Sequence, residues 1–194
     1  DIKAQYTSEE VSELTSDELL MFCVLLMVAG NETTRNAIAG GLRVLSQFPE
    51  QRDRLAADPG LVDSAVEEIL RWTAPVLNFT RTVTSTVTLG GIVLAAGDRV
   101  LLLYQAANRD ETVFESADEF RVDRNPNPHV AFGFGNHYCL GANLARMTSG
   151  TLFRELTGRI EKVERAGPAP RVASNLVPGI KHMPIRYRLA PAKA

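Results

Sequence analysis

Residues 132–141 read Phe-Gly-Phe-Gly-Asn-His-Tyr-Cys-Leu-Gly, a glycine-rich loop that presents one cysteine, Cys139, immediately before a helical pattern. Glycine carries no Cβ, so Gly133 and Gly135 let the backbone approach a flat ligand closely. Beyond Gly141, the residues Leu144, Ala145, Met147, Leu152, Phe153 and Leu156 recur at helical spacing up to Gly158. The positive end of that helix and its free N–H groups favour thiolate over thiol, and the thiolate is the form that ligates metal. Cys139 is therefore a candidate iron ligand. Taken alone, a lone cysteine beside a turn is more often buried and inert, so its neighbours must decide.

Upstream, Thr15 and Glu18 stand at capping-box spacing, which predicts a helix from about Ser16. Its apolar run, Leu19 to Ala29, reads as buried, with Cys23 in the core, and at eleven residues it is too short for a membrane span. The pattern continues through Ile38, Leu42 and Leu45, with an expected weak point at Gly30. A second helix starts at Pro49, holds Leu55 and ends at Asp58-Pro59-Gly60. A third runs from Leu61, with Val62, Ala65, Val66, Ile69 and Leu70 on one face, and closes at Pro75.

The period then changes. Thr80 to Leu89 predicts a strand with Val83, Val87 and Leu89 on one face. After the Gly90-Gly91 turn, Ile92 to Leu94 and Arg99 to Leu103 complete one small antiparallel sheet. Residues 104–131 are polar and without period, and the proline-bearing tail allows short strands such as Ile185 to Leu189. The fold class is thus mainly α with small antiparallel β-sheets.

The chain has 194 residues, of which 45% are hydrophobic and 23% charged, a globular composition with room for one sizeable core. Its 21 basic and 23 acidic residues nearly cancel and form no long block, which argues against a nucleic-acid partner. Two cysteines cannot build a disulfide scaffold, so a reducing, cytoplasmic setting is expected. The chain begins at Asp1 with no signal pattern, which is the expectation for a processed chain or a piece of a longer one.

Phe132, Gly133, Gly135, His137, Cys139 and Gly141, followed by Leu144, Ala145 and Arg146, match the pattern F-G-x-G-x-H/R-x-C-x-G-x-x-L-A-R. In this the sequence resembles the cytochrome P-450 family of haem-thiolate monooxygenases. Two weaker motifs lie where that family places them. Ala29-Gly30-x-Glu32-Thr33-Thr34 resembles its oxygen-activation segment, in which an acid and an alcohol relay protons. Glu68-x-x-Arg71 resembles its structural ion pair behind the haem. By themselves, Thr33 would be a helix threonine bonded back to the carbonyl of Ala29, Glu32 a solvated charge, and Glu68 and Arg71 an ordinary i, i+3 pair.

The resemblance implies haem b (iron protoporphyrin IX) as cofactor, with Cys139 ligating iron and Phe132, Gly133 and Gly141 forming its cradle. Arg81 and His137 are the candidates for the haem propionates, since carboxylates call for charge-assisted donors. Glu32 and Thr33 would be the catalytic relay, acting on a small organic, lipophilic substrate with electrons from a ferredoxin or similar donor. His129 and His182 have no ligand partners at metal spacing and read as structural or exposed. One departure concerns the ion pair: many relatives have an arginine where Glu119 precedes Phe120, and Arg124 is the available substitute.

The second departure is length. The whole chain, residues 1–194, corresponds to a single partial domain, the carboxyl-terminal half of the cytochrome P-450 fold. The alternatives are a fragment or remnant that is non-catalytic or only binds haem, and a cysteine hydrolase using Cys139 and His137. The hydrolase fares badly, because neighbours at i, i+2 in a tight loop rarely reach nucleophile–base geometry.

Overall fold

The computed structural model describes residues 14–190. Helix α1, Ser16–Gln47, starts with the capping box read from the sequence: Glu18 donates its N–H to the Thr15 hydroxyl, and the Glu18 carboxylate accepts from the Thr15 N–H. It runs unbroken through Gly30, so the weak point is not a break, and the Cβ that residue lacks would meet no neighbour. Only its carboxyl-terminal part enters the core, at Asn36, Ala37, Gly41, Val44 and Leu45. The expected burial of the apolar run is not found. Leu19, Leu20, Met27 and Val28 are all more than half exposed, and Cys23 is exposed rather than core, because no described element packs on that half of the helix.

Helix α2, Pro49–Ala57, carries Pro49 at its first turn, and helix α3, Val62–Thr73, follows a short 3-10 turn at Pro59–Leu61. Ala74, in the left-handed conformation at φ 36°, and Pro75 end α3. Its apolar spacing buries Val62, Ala65, Val66, Ile69 and Leu70 against Leu55, Phe120, Val122 and Phe153. Full burial of each such side chain is worth about 1.5–3 kcal/mol relative to exposure. Phe153 belongs to helix α5, Ala142–Thr157. At Gly41 an added Cβ would stand 2.5 Å from the Phe153 ring and 3.0 Å from Ile69, so only glycine lets α1 lie this close to α3 and α5.

The predicted strand Thr80 to Leu89 is two strands, β1 at Asn78–Thr82 and β2 at Val87–Leu89, separated by a bend. With β3, Ile92–Leu94, and β4, Arg99–Leu103, they make two nested two-stranded antiparallel sheets rather than one: β2 pairs with β3, and β1 with β4. Val83 bonds across to Asp98 and Gly97, closing the outer ladder before the bend. Val87 and Leu89 are exposed, because no described element covers the inner hairpin. A third pair, β5 at Ile160–Arg165 with β6 at Ile185–Leu189, includes one strand the sequence did not reveal. Residues 104–131 begin with one turn of helix, α4 at Tyr104–Ala107, and are otherwise irregular.

Candidate functional site

The irregular segment is held to α3 by a buried charge cluster. Glu68 and Arg71 are fully buried, and all five guanidinium N–H donors of Arg71 have acceptors. Two go to the Glu68 carboxylate, at 2.7 and 2.8 Å, and three to the carbonyls of Asn108, Ala117 and Glu119. Arg124 is the third member: its Nε lies 3.1 Å from Glu68 Oε2, and its remaining donors take the carbonyls of Glu115, Ser116 and Glu119. Glu119 therefore joins the lock through its backbone and not its side chain. Buried Asn108 passes the order onward, donating to the Arg71 carbonyl and accepting from the Val130 N–H at 2.8 Å, just before the cysteine loop.

The loop itself is a series of tight turns. Gly133 (φ 75°) and Gly135 (φ 66°) are in the left-handed region that penalises other residues, and a Cβ on Gly133 would also press on the His137 carbonyl at 3.3 Å. The Cys139 N–H donates to the Phe132 carbonyl at 2.9 Å, and the Cys139 carbonyl accepts from Ala142 N–H. The cysteine is exposed and sits directly before α5, whose amino terminus has no side-chain cap. Phe134, Leu140 and Leu144 are exposed apolar side chains beside it, and no atom stands where a Cβ on Gly135 or Gly141 would be.

A second carboxylate, which the sequence reading passed over, holds both ends of this loop. Glu67 Oε2 is 3.0 Å from Nε2 of the buried His129, and Arg146 binds the same carboxylate through Nε at 2.7 Å and Nη2 at 2.9 Å. The Ala131 N–H faces His129 Nδ1 at 3.2 Å, so the ring bridges the loop backbone and the Glu67 carboxylate through its two nitrogens. Arg146 also donates to the Tyr138 hydroxyl at 3.0 Å and lies 4.5 Å over the Phe132 ring. The one legible sign of this cluster was an acidic doublet, Glu67-Glu68, in the middle of α3. Neighbours on a helix point about 100° apart, so the two carboxylates serve different networks.

Burial pushes the Glu67 carboxyl up, but the bonds from His129 and Arg146 outweigh it and bring it from 4.5 down to about 2. A depressed carboxyl contributes stability above its unfolded value and loses it as pH falls through the folded one. The stability difference between the protein and Glu67→Gln should therefore be full above about pH 5 and shrink towards about pH 2. Urea unfolding across that range measures it, and a difference that does not change with pH would contradict the assignment.

Of the remaining predicted residues, Glu32, Thr33 and Arg81 lie on other elements, whereas His137 is part of the loop. The Thr33 hydroxyl donates to the Ala29 carbonyl at 2.7 Å, and Glu32 pairs with Arg35 at 2.6 Å on an exposed face of α1. Arg81, half-buried on β1 opposite Val100, gives one bond to the Thr80 carbonyl. His137 is exposed in the 3-10 turn Gly135–His137. Among the described residues, no hydrogen bond or ion pair joins Glu32, Thr33 or Arg81 to the loop. His129 is structural and His182 exposed, as expected.

The fold is mainly helical with small antiparallel sheets and carries an exposed cysteine on a glycine loop ahead of α5. The family model for Cytochrome P450 matches residues 60–156, and the chain belongs to the cytochrome P450 family. It is 46% identical to a methyl-branched lipid omega-hydroxylase of Mycobacterium tuberculosis, over 96% of this chain and 45% of that protein. It is 41% identical to a steroid C26-monooxygenase of Mycolicibacterium smegmatis, over 92% and 45%. Among solved structures, substrate-free CYP109E1 from Bacillus megaterium superposes with TM-score 0.89 at 36% identity, covering 96% of this chain and 49% of the other. CYP109Q5 from Chondromyces apiculatus gives 0.88 at 34%, covering 94% and 48%. The chain thus spans about half the length of the relatives it matches.

Haem b is the cofactor of this family. The residues present fit it: a single soft sulfur donor in reach of solvent, exposed apolar side chains around it, and glycines where a side chain would obstruct a flat macrocycle. Among the described residues, no helix is long and apolar enough to cross a membrane.

Proposed function

We propose that the chain is the carboxyl-terminal portion of a cytoplasmic haem-thiolate monooxygenase that inserts one atom of dioxygen into a lipophilic organic substrate, with electrons from a ferredoxin or similar donor. The observation that carries this reading is the exposed Cys139 on its glycine loop at the uncapped start of α5. The lipid and steroid oxidations named for two relatives support a lipid-like substrate class.

When bound, the haem would supply the redox chemistry of dioxygen, and Cys139 would hold it as a thiolate, a donor that favours O–O cleavage. The chain's own residues hold and serve it. Cys139 provides the thiolate, while Phe132, Gly133 and Gly141 shape the loop that presents it. Arg81, with most of its guanidinium donors uncommitted among the described residues, and His137 bind the propionates. Glu32 and Thr33 pass protons along α1. A second reading, a fragment that only binds haem or is inert, draws on the half-length coverage and on the exposed apolar half of α1.

In the full-length chain, the reduced, carbon monoxide-bound protein should show the red-shifted Soret band of a thiolate-ligated haem, and Cys139→Ser should abolish it. A band that survives Cys139→Ser unchanged removes the ligand assignment. A normal band without substrate turnover would favour the second reading.

A further inference from the structure

We propose that Glu67 is the positioning residue of the cysteine loop: its carboxylate ties the start of the loop, through His129, to its end, through Arg146 and Tyr138, and its charge offsets that of Arg146, which packs on the loop. This rests on Cys139 being the haem ligand.

The geometry is that of a clamp rather than an incidental surface pair. Arg146 meets the carboxylate through two N–H donors, in the planar fork arrangement that gives both strength and orientation. The same guanidinium reaches Tyr138, the residue preceding Cys139, and covers the ring of Phe132, whose carbonyl receives the Cys139 N–H. On the other side His129, with 2% of its side chain exposed, binds Glu67 through Nε2 and the loop backbone through Nδ1 at Ala131. Glu67 is thus bonded to residues on both sides of the cysteine.

The charge count gives the clamp an electronic consequence. The Glu67 carboxylate and the Arg146 guanidinium, 2.7 Å apart, offset each other's charge. Removing the carboxylate leaves an uncompensated cation packed on the loop that carries the thiolate. A nearby positive charge favours the reduced, more negative haem over the oxidised one. Neutralising Arg146 as well should reverse that shift, although it restores no packing.

The test is the reduction midpoint of the full-length, haem-loaded protein for Glu67→Gln, Arg146→Gln and the double variant, with melting temperature measured in parallel. Glu67→Gln should raise the midpoint, giving severalfold more reduced haem at a fixed solution potential. It should also enlarge the fraction of the reduced carbon monoxide form that lacks the thiolate band. Arg146→Gln alone should lower the midpoint, and the double variant should return close to the parent. A fall in melting temperature with the midpoint unmoved, or a double variant as displaced as Glu67→Gln, would show an ordinary helix tie and overturn the proposal. If Glu67→Gln does not fold, Arg146→Gln decides by itself: an unmoved midpoint overturns the proposal and a lowered one supports it. A parent protein without the thiolate band would instead defeat the ligand reading on which this rests.

Discussion

Glu68→Ala is expected to yield insoluble or haem-free protein. The substitution strands two guanidiniums, Arg71 and Arg124, which are buried to 0% and 5% exposure and share this one carboxylate. Removing one partner of a buried ion pair costs about 3–5 kcal/mol, and here the remaining pair of cations also repel each other. The backbone N–H of Arg121 and the amide of Asn127 lose an acceptor as well. Domains of ordinary size are stable by only about 5–15 kcal/mol, so the loss approaches the whole margin. Because Asn108 links this cluster to Val130, the cysteine loop should lose its support along with the irregular segment. Soluble yield, thermal unfolding and haem content measure the effect. A soluble, haem-loaded variant with a specific defect in turnover would move Glu68 out of the fold and into the chemistry.

Thr33→Ala should do the opposite, sparing the fold and impairing the proposed reaction. Among the described residues the Thr33 hydroxyl bonds within its own helix, to Ala29 at 2.7 Å, so its loss breaks no tertiary hydrogen bond there. The net worth of such a bond is about 0.5–1.5 kcal/mol. If Thr33 relays a proton, removing it should slow the dependent step by roughly 10²- to 10⁴-fold while leaving haem and substrate binding intact. Reducing equivalents would then be consumed to form hydrogen peroxide with little hydroxylated product. The ratio of product to reductant consumed in the full-length chain is the measurement. Undiminished coupling would leave Thr33 a helix threonine, and loss of haem would assign it to packing.

Local signals were legible where a residue's role depends on its sequence neighbours. The capping box at Thr15, the stop at Ala74-Pro75, the turn at Gly90-Gly91 and the positive-φ glycines of the cysteine loop are all consequences of backbone geometry over a few residues. The nine-residue motif around Cys139 likewise identified the family before any contact was known. Even the absent arginine at Glu119 could be anticipated, with Arg124 as its replacement, because the cluster needs a second cation within reach of Glu68.

Burial was misread where covering depends on another element. The apolar run of α1, with Cys23, reads as core, and it is exposed because no described element packs on it. The strand β5 lacked a local signature, since its pairing with β6 spans the irregular residues 166–184. Periodicity alone reports which face of a helix or strand is apolar, and it carries no information on what lies opposite. The same limit hid Glu67. Read along the chain it is one of two adjacent acids on a helix, and its partners lie 62 and 79 residues away. The sequence by itself determined the family, the cysteine loop and the order of the helices, because these rest on residue type and short-range geometry. Only the tertiary structure decided that one acid locks the irregular segment while its neighbour holds the loop, because α3 meets a different part of the chain on each side.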